Sequence, residues 1–256
     1  MFSLPTKPQT FFTIYPYVID FWRHIVKRVQ IPALFLTALM TFPYYLMFYR
    51  HLHSLLIHQH SHSLRVEQLW LTIATLIFYF LALVAMVIII LQANAILKNM
   101  KSPSYSGTFL LGILKLPTLI LAIIIAVVTV TLGSCVFLIP GLYLFFIIPL
   151  YIQLVILEKT NPFKTFSLCL DLIYSNWWRT FFTIYIPALI FISVIFLIES
   201  FVRTKFIVQL NHVYLDIGLI ITKIVLTAIY IPWFVSVTLI QLHDLVLRSN
   251  QAEKKT

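Results

Sequence analysis

Six long apolar segments, almost free of Asp, Glu, Lys and Arg, dominate this chain. A helix needs about 20 apolar residues to cross the hydrocarbon core of a bilayer. Charged residues make up 10% of the sequence, against about 25% in a typical soluble domain. Water cannot solvate so much apolar surface, so the sequence predicts an all-α integral membrane protein. The predicted spans cover residues 31–49, 69–91, 116–132, 140–157, 183–201 and 217–242.

The apolar stretch 116–157 is too long for a single crossing. Gly133 and Ser134, followed by Pro140 and Gly141, are expected to interrupt it. Proline suits the first turn of a helix, because the N–H that it lacks would have no partner there. We therefore predict a hairpin, with the third span before the interruption and the fourth span beginning at Pro140.

The whole chain, 1–256, is predicted to form one membrane domain. Residues 1–30 are predicted to form an amphipathic N-terminal helix, and residues 243–256 a cytoplasmic tail. The N-terminus lacks the ordered basic region, apolar stretch and cleavage site of a signal peptide. The first span is therefore expected to act as an uncleaved signal anchor.

The distribution of basic residues predicts the orientation. Thirteen of the 18 Lys and Arg residues fall on the side of the two termini, and five fall on the other side. Cytoplasmic segments are enriched in Lys and Arg, so both termini are predicted to be cytoplasmic. The same rule accounts for the net charge of +10. No basic run with interleaved aromatics stands clear of the spans, so nucleic acid is not an expected partner.

Two short phrases recur along the chain in a fixed order. A proline within an aliphatic phrase recurs where the odd-numbered spans begin, and a glutamine recurs where the even-numbered spans end. The prolines are Pro32, Pro117 and Pro187, and the glutamines are Gln92, Gln153 and Gln241. Such self-similarity is the mark of duplicated units and predicts a six-helix bundle of three tandem hairpins. Chance recurrence of short apolar words is the alternative.

An amphipathic stretch precedes each odd-numbered span, and the one before the third span, 105–114, is the weakest. Before the first span, charged residues from Asp20 to Arg28 lie opposite an apolar stripe of Phe12, Tyr15, Ile19, Trp22, Ile25, Val26 and Val29. Before the fifth span the apolar stripe is Phe163, Phe166, Leu170, Ile173 and Trp177. These stretches predict interfacial helices on the cytoplasmic face.

Such interfacial helices either anchor the next span or bind anionic lipid of the cytoplasmic leaflet. The sequence leaves both possibilities open. The predicted headgroup contacts are Trp22, Arg23, Lys27, Arg28, Trp177, Trp178 and Arg179.

The loop between the first two spans is rich in histidine. Its histidines are His51, His53, His58, His60 and His62. Closely spaced imidazoles can bind zinc or copper, which makes this loop a candidate metal site. A polar, partly protonated loop is the favoured alternative, and no cofactor is expected.

Polar groups are scarce inside the predicted spans. Ionisable residues there usually mark transport pathways, but Lys115, Glu199, Asp216 and Lys223 all fall at span ends, where they are expected to reach water. The amides nearest the membrane interior are Gln92, Asn94, Gln153 and Gln241. They either join helices through hydrogen bonds, which we favour, or line the pathway of a small transporter or channel.

The sequence contains no recognisable catalytic constellation. The acidic residues Asp20, Glu158, Asp171 and Asp244 are scattered along the predicted cytoplasmic side. Metalloprotease, nucleophile-elbow, P-loop and dinucleotide-binding motifs do not occur. Five glycines in the whole chain leave little room for phosphate-cradling loops. The chain is therefore not expected to be an enzyme.

One block of sequence resembles a known family. It comprises 137–144, the Leu157-Glu158-Lys159 turn, the Pro162-Phe163-Lys164 helix start and the 175–179 aromatic entry to the next span. This block is similar to the YciC-like family of bacterial inner-membrane proteins and to the membrane domain that accompanies some glycerophosphodiester phosphodiesterases. The resemblance implies six spans in a bacterial plasma membrane. It implies no reaction, and the phosphodiesterase catalytic domain is absent.

These observations favour a non-enzymatic structural or accessory membrane protein that contacts anionic lipid and membrane-protein partners. A small transporter or channel is the first alternative. A metal-handling protein that uses the histidine-rich loop is the second.

Overall fold

The computed structural model describes residues 4–10, 12–56, 63–98, 100, 104–158, 161–206 and 212–253. Within these ranges the chain forms helices and no strands. The helices are α1 (Ile14–Leu56), α2 (Ser63–Leu97), α3 (Tyr105–Val136), α4 (Leu138–Leu157), α5 (Pro162–Tyr174), α6 (Trp177–Phe206) and α7 (His212–Glu253).

Five of the described helices are long and apolar enough to cross a membrane, namely α1, α2, α3, α6 and α7. The apolar part of α4, Gly141–Leu157, is shorter. The helices carry large apolar side chains on their exposed surfaces, as in Ile124 and Phe196. This architecture is that of an α-helical membrane protein, as the apolar segments predicted.

The core lies where α1, α2, α4 and α7 meet. Helix α1 packs against both α2 and α7, α3 packs against α4, and α6 packs against α7. Each pair of helices that the repeat assigns to one hairpin is therefore in contact. Helix α6 is the most peripheral of the long helices, because Ile184 is its one fully buried hydrophobic residue among the described side chains.

The long helices extend beyond the predicted spans. Pro32, Pro117 and Pro187 were expected near helix starts, but each lies ten or more residues inside α1, α3 or α6. Interior proline is tolerated in membrane helices, because neighbouring groups satisfy the freed carbonyl. Helix α7 likewise continues to Glu253, so most of the predicted tail 243–256 is helical.

A separate amphipathic helix precedes a long helix at only one of the three predicted positions in the described chain. That helix is α5, which begins with Asn161 as its N-cap and Pro162 in its first turn. The stretches before the first and third spans are continuous with α1 and α3. The prediction of an interfacial helix before every odd-numbered span is corrected in this respect.

The buried stripes of these stretches are also rotated from the predicted ones. In the stretch before the first predicted span the fully buried residues are Ile14, Val18, Phe21, Ile25 and Val29, whereas Phe12 and Ile19 are exposed. In α5 they are Pro162, Thr165, Cys169 and Ile173, whereas Phe163 is exposed. The bundle, rather than a flat membrane surface, covers the apolar face of each stretch and so sets its orientation.

Gly133 and Gly141 bring α3 and α4 together at their connection. Helix α3 runs through Gly133 without a break, and Phe137 alone separates the two helices in extended conformation. A Cβ on Gly141 would lie 2.7 Å from the backbone of Ser134. Gly133 was expected to interrupt the helix, but both glycines instead permit close approach of two backbones.

Candidate functional site at the terminal end of the bundle

The two ends of the described chain meet at one end of the bundle, which we call the terminal end. Residues 4–10 lie against the C-terminal part of α7. The Gln9 N–H donates to the Asp244 Oδ1 atom at 2.6 Å, and the Arg248 guanidinium donates to the Gln9 carbonyl at 2.5 Å. His243 Nε2 lies 3.2 Å from the Pro5 carbonyl oxygen. No feature of the sequence indicated this contact.

Asp244 is the most deeply buried acidic residue in the described chain, with none of its surface exposed. Its Oδ2 atom lies 3.0 Å from a guanidinium nitrogen of Arg179 on α6 and accepts a hydrogen bond of 2.9 Å from Arg248 Nε. A buried carboxylate is stable only when charge partners and hydrogen bonds replace its water. Two guanidinium groups and one backbone N–H supply them here.

Arg179 therefore occupies a different place from the one predicted. It was expected to contact lipid headgroups, but its side chain is 15% exposed and pairs with Asp244. Asp244 was treated as one of several scattered acids. The two residues lie 65 positions apart in sequence, and only the packing of α6 on α7 brings them together.

The three repeated glutamines join helices through hydrogen bonds, and all three are buried. Gln92 on α2 donates to the Thr108 hydroxyl on α3 at 3.4 Å, and Gln241 on α7 donates to the Thr180 hydroxyl on α6 at 3.2 Å. The Gln153 amide on α4 donates to the hydroxyl of Thr238 on α7. This geometry agrees with the favoured interpretation of the amides as links between helices. The fourth amide, Asn94, is half-buried on α2.

Some buried polar atoms near Asp244 make no hydrogen bond within the described chain. They are Arg179 Nε, Thr183 Oγ1 and Gln241 Oε1. All three belong to the contact between α6 and α7, within one helical turn of the Arg179–Asp244 pair or the Thr180–Gln241 bond. The contact therefore retains hydrogen-bonding capacity that a water or a polar group would satisfy.

The first helix presents a basic face at the same end of the bundle. Arg23, Lys27 and Arg28 are exposed, while the intervening Ile25 and Val29 are buried in the core. No carboxylate of the described chain pairs with these three side chains. Their charge is thus available to an anionic partner. Trp22 beside them is half-buried, and its shielded indole N–H has no hydrogen-bond acceptor among the described residues.

The remaining predicted headgroup residues belong to an aromatic cluster. Trp177 stacks on Trp178 with ring centroids 4.0 Å apart and meets the edge of Tyr143 on α4 at 5.8 Å. Trp178 is exposed, whereas Trp177 is half-buried. The cluster connects the start of α6 to α4. Because Trp178 is the more exposed of the two tryptophans, it is better placed for contact with lipid.

An ion pair at the opposite end also joins α6 to α7. Lys223 Nζ lies 2.7 Å from Glu199 Oε2. These two residues were expected to reach water separately from their span ends. Lys115, for which the same was expected, donates its ammonium hydrogen to the Ile156 carbonyl near the end of α4. Each is therefore engaged within the bundle.

The candidate metal site falls largely outside the described residues. His58, His60 and His62 lie there, and His51 and His53 lie in the last part of α1, where the backbone alone is described. The described residues contain no group of three or more His, Cys, Asp or Glu that could hold a metal ion. The histidine-loop hypothesis stays a prediction.

Comparison with known proteins supplies no relative, since no family model, no curated protein and no solved structure matches the chain.

Proposed function

We propose that the chain is a non-enzymatic, multi-pass membrane protein that binds anionic phospholipid through the basic face of α1. The terminal end is cytoplasmic in this proposal, α4 is the sixth span, and the membrane is the bacterial plasma membrane that the family resemblance implies. The role is structural or accessory. The observation that carries the proposal is the exposure of Arg23, Lys27 and Arg28 on a helix whose other face is held in the core.

The geometry supports lipid binding in two ways. The core contact of α1 fixes the basic face in one direction, so less conformational freedom is lost on binding than for a mobile tail. Basic residues near an anionic membrane surface contribute about 1 kcal/mol each. Three cations that have no carboxylate partner within the described ranges therefore favour anionic over zwitterionic lipid. The hydrogen bonds of the glutamines support a packing role for them over a transport pathway.

The test compares two triple variants of equal charge change in the full-length protein. One variant carries Arg23→Glu, Lys27→Glu and Arg28→Glu. The control carries Lys7→Glu, Lys98→Glu and Lys164→Glu at three exposed lysines elsewhere. Each protein is reconstituted in phosphatidylglycerol and phosphatidylcholine, re-extracted and assayed for retained lipid by mass spectrometry. We expect the α1 variant to lose most of its phosphatidylglycerol enrichment and the control to keep most of it. Equal retention in the two variants would refute the proposal.

A further inference from the structure

An apolar groove opens on the surface of the bundle between α1, α2 and α3. Its volume is about 350 Å³, and its walls expose no polar surface. Pro32 and Phe35 form one side, Val84 and Ile88 the floor, and Tyr105 and Phe109 the other side. Gly112 lets α3 approach this floor, because a Cβ there would lie 3.3 Å from Val84.

Arg28 lies at the terminal end of this groove. Arg28, Pro32 and Phe35 follow one another at spacings of four and three residues, so they share one face of α1. The Tyr105 hydroxyl donates a hydrogen bond of 2.7 Å to the Arg28 carbonyl and so connects the two sides of the groove at that point. The Arg28 side chain is exposed and has no carboxylate partner in the described chain.

We propose that this groove holds one acyl chain of an anionic phospholipid whose phosphate pairs with Arg28. The inference rests on the proposed function and deepens it, since it assigns the lipid to one site. A groove with entirely apolar walls suits a hydrocarbon chain, and an exposed guanidinium on the face of α1 that leads into it suits a phosphate, which it can contact through two parallel hydrogen bonds. Tyr105 has the amphipathic character that favours the level of the headgroups.

The arrangement selects a lipid over an apolar helix of another protein. A partner helix would gain from the apolar walls but would leave the Arg28 cation without a counter-charge. An anionic phospholipid satisfies the walls and the cation together. Lys164 on α5 provides a comparison, because it is exposed and belongs neither to the groove nor to the basic face of α1.

The experiment places a photo-reactive benzoyl-phenylalanine at Phe109 in the groove, or at Phe196 on α6 as a control. Both side chains are exposed. The full-length proteins are reconstituted in vesicles with equal amounts of phosphatidylglycerol and phosphatidylcholine and irradiated, and the adducts are identified by mass spectrometry. We expect phosphatidylglycerol adducts to exceed phosphatidylcholine adducts about five-fold at position 109, which is the enrichment that one basic residue near the surface supplies. At position 196 we expect no preference.

Two further variants test the role of the cation. In the position-109 protein, Arg28→Gln should abolish the preference for phosphatidylglycerol, whereas Lys164→Gln, at an exposed lysine on α5, should leave it intact. A preference that survives Arg28→Gln, an absence of preference at position 109, or an adduct with a second copy of the chain would overturn the assignment. Suppose that one of these outcomes is found, but the variant with Arg23→Glu, Lys27→Glu and Arg28→Glu still loses its phosphatidylglycerol enrichment. Then only the groove is refuted. If that triple variant keeps its enrichment, the proposed function fails as well.

Discussion

A guanidinium nitrogen of Arg179 on α6 lies 3.0 Å from the carboxylate of Asp244 on α7, and Asp244 is entirely buried. Helix α6 is the most peripheral long helix, and this pair, the Thr180–Gln241 hydrogen bond and the Glu199–Lys223 pair at the opposite end hold it to α7. Asp244 also binds the N-terminal segment through Gln9. One buried carboxylate thus connects both ends of the chain to the peripheral helix.

Substitution of Asp244 should destabilise the bundle strongly. Asp244→Asn removes the charge that balances Arg179 and Arg248, and an unpaired buried charge costs about 3 kcal/mol. Glu199→Gln should cost less, about 1 kcal/mol, because both side chains of that pair are 27% exposed. Unfolding in mixed micelles measures both, with Asp171→Asn at an exposed position as the control. Equal losses for Asp244→Asn and Asp171→Asn would show that the pair of Arg179 and Asp244 does not stabilise the bundle.

The contact of the N-terminal segment can be tested at one backbone atom. Gln9→Pro removes the N–H that Asp244 accepts, and a hydrogen bond to a charged group contributes about 2 kcal/mol. Gln9→Ala keeps that N–H and should be nearly neutral. Thermal unfolding in detergent compares the two variants, and proteolysis near residue 10 should increase only in Gln9→Pro. Identical behaviour of the two would show that the segment is not held through this bond.

The glutamine links predict modest changes in stability and no change in permeability. Gln153→Leu and Gln241→Leu each remove one interhelical hydrogen bond, which is worth about 0.6 kcal/mol on average in a membrane protein. Gln30→Leu, at an exposed position on α1, serves as the control. Unfolding in micelles reports the stability, and ion flux into liposomes reports the permeability. A flux that is present in the wild type and abolished by Gln153→Leu would instead support a transport pathway.

Alanine substitutions at two glycines, one at the contact of α3 with α4 and one at an open position on α7, should have opposite effects on stability. Gly141→Ala places a Cβ 2.7 Å from the backbone of Ser134, so the helices must separate at a cost of about 2 kcal/mol. Gly218→Ala meets no atom within 4 Å and should stabilise α7 by up to about 1 kcal/mol, as alanine does in a helix interior. Unfolding in micelles measures both. A neutral Gly141→Ala would show that the helices do not approach so closely.

The two cysteines should differ in reactivity. Burial in α5 raises the pKa of the Cys169 thiol above its ordinary value, so at neutral pH it stays protonated and unreactive. Cys135 is exposed near the end of α3. In the folded protein a maleimide should label Cys135 quickly and Cys169 only after denaturation, as measured by peptide mass spectrometry. Rapid labelling of both would contradict the packing of α5 against α4.

Sequence alone predicted the helical membrane class because uninterrupted apolar length is a local property. It did not predict which face of each helix is buried against its neighbours. The predicted stripe of α1 correctly included Ile25 and Val29, but it also included the exposed Phe12 and Ile19 and omitted the buried Ile14, Val18 and Phe21. A wide apolar face leaves several orientations open, and contact with α7 selects one of them.

The pairing of Arg179 with Asp244 was not predicted for a related reason. Arg179 and Asp244 lie at the polar ends of two helices, where single charges are ordinary and orientation toward water or lipid is the usual expectation. Their pairing depends on how far α7 extends past the predicted span and on the angle at which α6 meets it. No spacing rule along the chain encodes either quantity.

This membrane protein is expected to select anionic phospholipid. The most direct test purifies the unmodified full-length protein from native membranes in mild detergent and counts the lipids that remain bound. Anionic phospholipids should be enriched several-fold over their share of the source membrane, and added salt should reduce the enrichment because the contact is ionic. Bound lipid of the same composition as the source membrane, insensitive to salt, would contradict this expectation.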